Sequence, residues 1–207
     1  MKPHTKALSS SCFYHIWSFK QTRSSLDDNM VVSVASALVS SRLDQVSSIL
    51  YGAASKHINP LQRVQNALAR VVTYQRPYTC PLSSTALLQN LHWLPIEWRV
   101  HFKQATLAHK ALHIGQPPYL SELLQHYVPI QILRSSFSFQ LCIPRYNLEF
   151  GSRAFGISAP KIWNLWPASI RNSPSLPTFR RHLKHIIFSQ PILTPNDHPL
   201  STRPDSL

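Results

Sequence analysis

Asn59–Pro60–Leu61–Gln62–Arg63–Val64–Gln65–Asn66–Ala67–Leu68–Ala69–Arg70–Val71–Val72 has the spacing of an amphipathic helix. Leu61, Val64, Leu68 and Val71 recur three or four residues apart and mark one face, while Arg63, Asn66 and Arg70 mark another. Asn59 is a suitable cap, and Pro60 suits the first helical position, where a missing N–H costs nothing. Pro77 and Pro81 close this unit.

The same pattern repeats outward. Residues 5–23 predict a first helix, and Asp27 or Asp28 caps a second carrying Val31, Val34, Leu38 and Leu43, which runs bent or broken towards Tyr51. Ser83 or Ser84 caps a short helix over 83–91. Pro95 opens a long one to Ile114, stopped by Gly115 and Pro117–Pro118. Its apolar side reads Ile96, Val100, Leu107, Ala111 and Ile114, and its polar side Arg99, Lys103, Thr106, Lys110 and His113. Residues 118–128 and 152–165 predict further helices. A final one follows Pro174 and Pro177, with Leu176, Phe179, Leu183 and Ile186 facing inward. Between 133 and 150 the alternation of Phe137, Phe139, Leu141 and Ile143 predicts an extended arm or small β hairpin. The expected fold is mainly α: a bundle of short amphipathic helices, then a helical C-terminal segment bearing that arm. From Pro191 onward the polar, proline-rich tail predicts disorder.

Composition narrows the function. The 207 residues are 43% hydrophobic, enough for a core, and 21 Lys+Arg against 8 Asp+Glu give a formal charge of +13. Such a surplus favours polyanionic partners. Cys12, Cys80 and Cys142 are odd in number and widely spaced, so they read as reduced intracellular thiols rather than a disulfide framework. No uninterrupted apolar run approaches the ~18 residues of a membrane span, and no membrane partner is expected.

Catalytic constellations are missing from the sequence. A two-metal polymerase needs carboxylates holding ions about 3.5–4 Å apart. The only adjacent acidic pair, Asp27–Asp28, stands where a helix cap is expected, and no Tyr–x–Asp–Asp turn occurs. His109 and His113 are four apart but lack the glutamate of a zinc hydrolase motif. His182 and His185 have no cysteine pair to complete four ligands. All four read as surface histidines on basic helices, and no metal or cofactor is expected. No Gly–x–Ser–x–Gly turn or glycine-rich phosphate loop is present. Basic helix faces remain: Arg63 and Arg70; Arg99, Lys103 and Lys110; Arg180, Arg181 and Lys184. Each suits phosphate contact, and each also suits an ordinary solvated helix face. Trp93 and Trp163, set among apolar neighbours, read as core.

Two blocks carry a resemblance. Arg63–Val64–Gln65–Asn66–Ala67–Leu68–Ala69–Arg70–Val71–Val72 and Leu91–His92–Trp93–Leu94–Pro95–Ile96–Glu97 resemble a segment of non-LTR (LINE-type) retrotransposon polyproteins downstream of the polymerase active site. Ser40–Ser41–Arg42–Leu43–Asp44 precedes them in the family's order. Lys110–Ala111–Leu112–His113, Pro118–Tyr119–Leu120, Gly151–Ser152–Arg153–Ala154–Phe155 and Trp163–Asn164 follow. Departures include Gln45–Val46, Trp98, Gly156–Ile157–Ser158 and Leu165–Trp166–Pro167, which suggest a diverged copy. The resemblance implies a reverse-transcriptase thumb over 1–78 and a C-terminal segment over 79–190, followed by the proline-rich tail over 191–207. It implies a noncatalytic chain without palm or endonuclease, contacting RNA, DNA or an RNA–DNA hybrid through the backbone. Arg153 joins the candidate residues, with pairing to Glu149 or a helix C-terminus as its structural alternative. The competing expectation is a helical protein-interaction module or inert relic, self-associating through surface the palm would cover. The cysteine pattern implies an intracellular protein, and the resemblance is compatible with the nucleus, since such elements copy themselves at chromosomal DNA.

Overall fold

Leu61, Val64, Leu68 and Val72 are fully or nearly buried on one side of helix α4 (Ser55–Val72), the element around which the first half of the chain packs. The computed structural model describes residues 2–47, 50–74, 82–128, 139–145 and 151–189. These are mainly helical. The chain divides into two compact units, Met1–Val100 and His101–Leu207. The sequence reading set its division at 78/79, which lies within the residues 75–81 that are not described. Helix α5 (Ser84–Asn90) packs on α4, with Leu87 and Leu88 against Ala69, and Ile96 and Val100 enter the α4 core, so residues 82–100 belong to the first unit.

In that unit α1 (Lys2–Thr22) lays Cys12, Ile16 and Phe19 against α4. A 3₁₀ turn (Arg23–Ser25) leads to Asp27, whose side chain caps α2 (Asp28–Ala35) by accepting from the Asn29 amide at 3.4 Å. A wide π turn (Ser36–Ser40) then joins α2 to α3 (Ser41–Ser47). The buried column is Val31, Ala35, Val39 and Leu43, with Val34 and Leu38 only partly buried. A step of four residues drifts by about 40° per step in an α-helix. The wider turn absorbs part of that drift and keeps the column pointed inward.

α4 itself begins five residues earlier than the capping signals predict. Ala54 precedes the first turn without a side-chain cap, and Pro60 lies inside the helix. The proline removes one amide from the ladder, yet burial of Leu61 through Val72 holds the first turn in place. Ser83 caps α5 as expected, accepting from the Ala86 amide at 3.1 Å. α5 ends with His92 in the left-handed region (φ 52°), the Trp93 amide reaching back to the Leu88 carbonyl at 2.8 Å. That Schellman-type reversal delivers Leu94 to α4.

The join is polar. Gln65 is fully buried and its Nε2 donates to the Leu94 carbonyl at 2.8 Å, while Gln62 Oε1 accepts from the Ile96 amide at 2.9 Å. Gln62 Nε2 in turn donates to Gln65 Oε1 at 3.1 Å and Asn66 Oδ1 at 2.9 Å. The two sequence blocks singled out above are thus fastened to each other, and the first free amide of α6 (Ile96–Ile114) is satisfied.

α6 continues into the second unit. There its buried positions are His101, Gln104, Ala105, Ala108, His109 and Ala111, whereas Ile114 is exposed and Leu107 only half-buried. The apolar side expected from sequence is therefore corrected: small alanines let neighbouring side chains approach, and polar groups occupy the rest. The helix predicted over 118–128 is a single turn, α7 (Pro118–Ser121). α8 (Phe155–Leu165), α9 (Ala168–Arg171) and α10 (Leu176–Ser189) complete the unit, after a 3₁₀ turn at Gly151–Arg153. On α10 the third buried residue is Ile187 rather than Ile186.

No strand forms among the described residues. The expected arm is reduced to one antiparallel bridge, His126 with Leu141, flanked by Tyr127 N–H to Gln140 O (2.9 Å) and Cys142 N–H to Gln125 O (2.8 Å). Phe137 and most of 129–150, like the tail from 191, lie outside the described residues. α8 supplies the remaining partners. Asn164 accepts from the Leu141 amide at 2.9 Å and donates to its carbonyl at 2.8 Å, and Trp163 Nε1 donates to the Phe139 carbonyl at 2.8 Å.

Gln65→Met keeps the volume and removes the amide, leaving the Leu94 carbonyl buried without its donor. Chemical denaturation is expected to show a loss of about 1–3 kcal/mol. A loss below about 0.5 kcal/mol would mean that this hydrogen-bonded join contributes little to stability.

Candidate nucleic-acid interface

The nine candidate residues fall into both units. On α4, Arg63 and Arg70 are exposed and seven residues apart, which sets them about 10 Å apart along one helix face. Arg70 Nη2 also donates to Ser84 Oγ at 2.9 Å, so this cation is anchored over the start of α5. Arg99 is different. Its side chain is mostly covered and pairs with Asp44 Oδ1 at 3.1 Å, an acid that is about half exposed. Solvent screening limits such a pair to at most about 1 kcal/mol. It ties α6 to α3 and diverts Arg99 from phosphate contact.

In the second unit Lys103 is half-buried and Lys110 exposed, seven residues apart on α6. Arg180 and Arg181 are exposed on α10, and Lys184 is half-buried one turn on. The Arg180 guanidinium lies 5.8 Å over the ring of Phe102, the residue before Lys103, and so joins α10 to the start of α6. Arg153 is half-buried at the end of its 3₁₀ turn, and Glu149, its suggested partner, lies outside the described residues. Among the described residues of this unit Glu122 is the only carboxylate, against Lys103, Lys110, Arg145, Arg153, Lys161, Arg171, Arg180, Arg181 and Lys184.

Sequence patterning passed over several groups. Arg23 bridges three elements: Nη2 contacts Asp28 Oδ1 at 2.8 Å and the Val72 carbonyl at 3.3 Å, Nη1 donates to the Leu26 carbonyl at 3.3 Å, and the guanidinium sits 5.5 Å from the Tyr74 ring centre. A cation on the last carbonyls of α4 complements its dipole. Arg23, Asp28, Val72 and Tyr74, with Val32 and Leu91, line a hollow of about 610 Å³. Arg171 is buried, and its Nε and Nη1 have no hydrogen-bond partner among the described residues; burial pushes its pKa down.

His109 corrects the surface reading of the histidines. It is buried, stacked 4.2 Å from His113 and tilted against Phe179 at 4.5 Å, and its Nε2–H donates to the Ser173 carbonyl at 3.1 Å. Phe179 stacks in turn on buried Trp163 at 5.7 Å. Burial pushes the His109 pKa down, the Ser173 carbonyl partly offsets this, and His113 adds a smaller downward push. A helical period cannot distinguish an exposed from a buried side by histidines alone; the small residues Ala105 and Ala108 beside it were the available signal.

No cluster of three or more His, Cys, Asp or Glu with metal-binding geometry occurs among the described residues, and no described helix is long and apolar enough to cross a membrane. Cys12 is buried, and that burial pushes its thiol pKa up against the opposing pull of Arg42. Cys142 is exposed, and Cys80 lies outside the described residues. No protein-family model, curated protein or solved structure matches the chain.

His109 makes a pH dependence. Its folded pKa lies below the ordinary 6.5, so below about pH 6.5 the unfolded chain binds a proton that the folded one resists. Stability is therefore lost as pH falls through that range and retained above it. Thermal unfolding followed by near-ultraviolet dichroism is expected to show a falling midpoint on acidification. The fall should be shallower in His109→Gln, and equal slopes in the two proteins would remove His109 as the cause.

Proposed function

We propose that this chain is a noncatalytic nucleic-acid-binding fragment of the non-LTR reverse-transcriptase type, comprising a thumb-like bundle and the segment after it. The carrying observation is the charge of the second unit, where one described carboxylate stands against nine cations and five of those cations lie on α6 and α10. Such helices grip a duplex by its phosphates, giving affinity without base reading. The order of the blocks in the sequence supports the same reading, as does the polar join between Gln65 and Leu94 that holds two of them together. Catalysis is outside the proposal, for want of a carboxylate set.

Binding to an RNA–DNA hybrid, followed by fluorescence anisotropy across salt concentrations, is expected to weaken linearly on a log–log plot, with a slope of about −0.9 per phosphate neutralised. Lys110→Gln and Arg181→Gln should each lower that slope by about 1. A folded protein that binds no RNA, DNA or hybrid at low salt would end the proposal. The competing reading, a helical interaction module, draws on Met30 and Val32, which are exposed on α2. A stable oligomer dissociated by Met30→Lys, in a chain that ignores nucleic acid, would favour it.

A further inference from the structure

Helix α1 carries two faces of unlike chemistry. Cys12, Ile16 and Phe19 are buried against α4. On the opposite side Phe13, Tyr14 and Trp17 are 43%, 68% and 62% exposed, an uncommon state for three large rings within two turns. Phe13 and Trp17 are four residues apart, and Tyr14 and Trp17 three apart, so the rings adjoin on the surface. Lys6 and Lys20, both exposed, extend the Phe13–Trp17 line at either end, over a length of about 21 Å. The helix holds no Asp or Glu in its 21 residues.

Chemistry selects the occupant. Exposed rings flanked by cations, with no acid among them, complement a ligand that offers flat π faces and phosphates together. A second copy of the chain laid antiparallel would set Lys6 against Lys20 and repel. A helix lying in a bilayer surface buries a continuous apolar face, whereas the exposed side of α1 sets Lys6, Ser10 and Gln21 in line with its rings. We infer that the Phe13–Tyr14–Trp17 face of α1, bracketed by Lys6 and Lys20, binds single-stranded nucleic acid by stacking bases on its rings. This rests on the nucleic-acid reading above and adds to it a strand type and a second surface. A paired duplex hides its base faces, so the cationic helices of the second unit engage duplex while α1 engages the unpaired strand.

Trp17 is the only exposed tryptophan of five, which makes it a built-in reporter. Adding a short oligodeoxythymidine to the full chain is expected to quench the tryptophan emission, and Trp17→Phe to remove most of the quenching. Tyr14→Ala combined with Trp17→Ala should weaken oligodeoxythymidine binding about tenfold or more. Hybrid-duplex affinity should stay unchanged, and both side chains are exposed enough to be lost without unfolding the chain. Single-strand affinity untouched by the double substitution would overturn the α1 assignment and leave the duplex reading standing. Loss of all nucleic-acid binding by the unsubstituted chain would overturn both. Emission that shifts to the blue with phosphatidylserine vesicles but ignores oligodeoxythymidine would assign the face to membranes. Self-association abolished by the double substitution, without any quenching, would assign it to a second copy.

Discussion

Gln65 is a long polar side chain with no solvent exposure, and its position is tolerable only because both ends of its amide are used. Its Nε2 satisfies the Leu94 carbonyl while Gln62 caps the Ile96 amide, so α4 dictates where the chain re-enters after α5 and where α6 starts. Apolar contact alone would allow Leu94 to slide along α4. Directed hydrogen bonds in a dry setting do not, which is how a small helical core acquires a single register. Arg99, one turn into α6, then meets Asp44 of α3 and fixes the rotation of the helix as the glutamines fix its origin.

The second unit solves a similar problem with different groups. Residues 139–141 have no neighbouring strand of any length among the described residues, leaving their peptide groups in need of partners. Asn164 offers the same donor–acceptor pair as a strand neighbour and takes both hydrogen bonds of Leu141. Trp163 contributes its indole N–H to Phe139 while its ring stacks on Phe179, so one residue joins backbone support to core packing. His109 completes that aromatic layer and carries its one polar tie to Ser173.

Helix existence was readable because apolar spacing and capping chemistry agreed: Asp27, Ser83 and the stop at Gly115 (φ 68°) all fall where the sequence put them. The errors have distinct physical causes. Pro60 looked like a first residue because helix-capping preferences ignore packing, and packing started α4 earlier. Residues 122–128 have helical composition, yet the amide of Tyr127 and the carbonyl of Gln125 are used by 140 and 142 instead. Of the candidate cations, the α10 group was legible as a charged face, while Arg99 was not legible as an ion pair because Asp44 is 55 residues away in sequence. α1 was the hardest case: its aromatic residues lie on both sides of the helix, and only the position of α4 decides that Phe19 is core and Trp17 is surface.

The π turn at Ser36–Ser40 leaves a mark on the mutational freedom of this chain. A wide turn carries one residue more than a regular helix would spend on the same advance. Winding the same residues as regular α-helix would be locally cheaper, yet with the residue count unchanged it would swing everything after them by about 100°. Leu43 would leave the core and Asp44 would turn away from Arg99. Substitutions along α2 and α3 can thus accumulate on the solvent side, while the wide turn between Val31 and Leu43 is held by the core on either side of it. In this stretch winding, more than side-chain identity, is the constrained quantity.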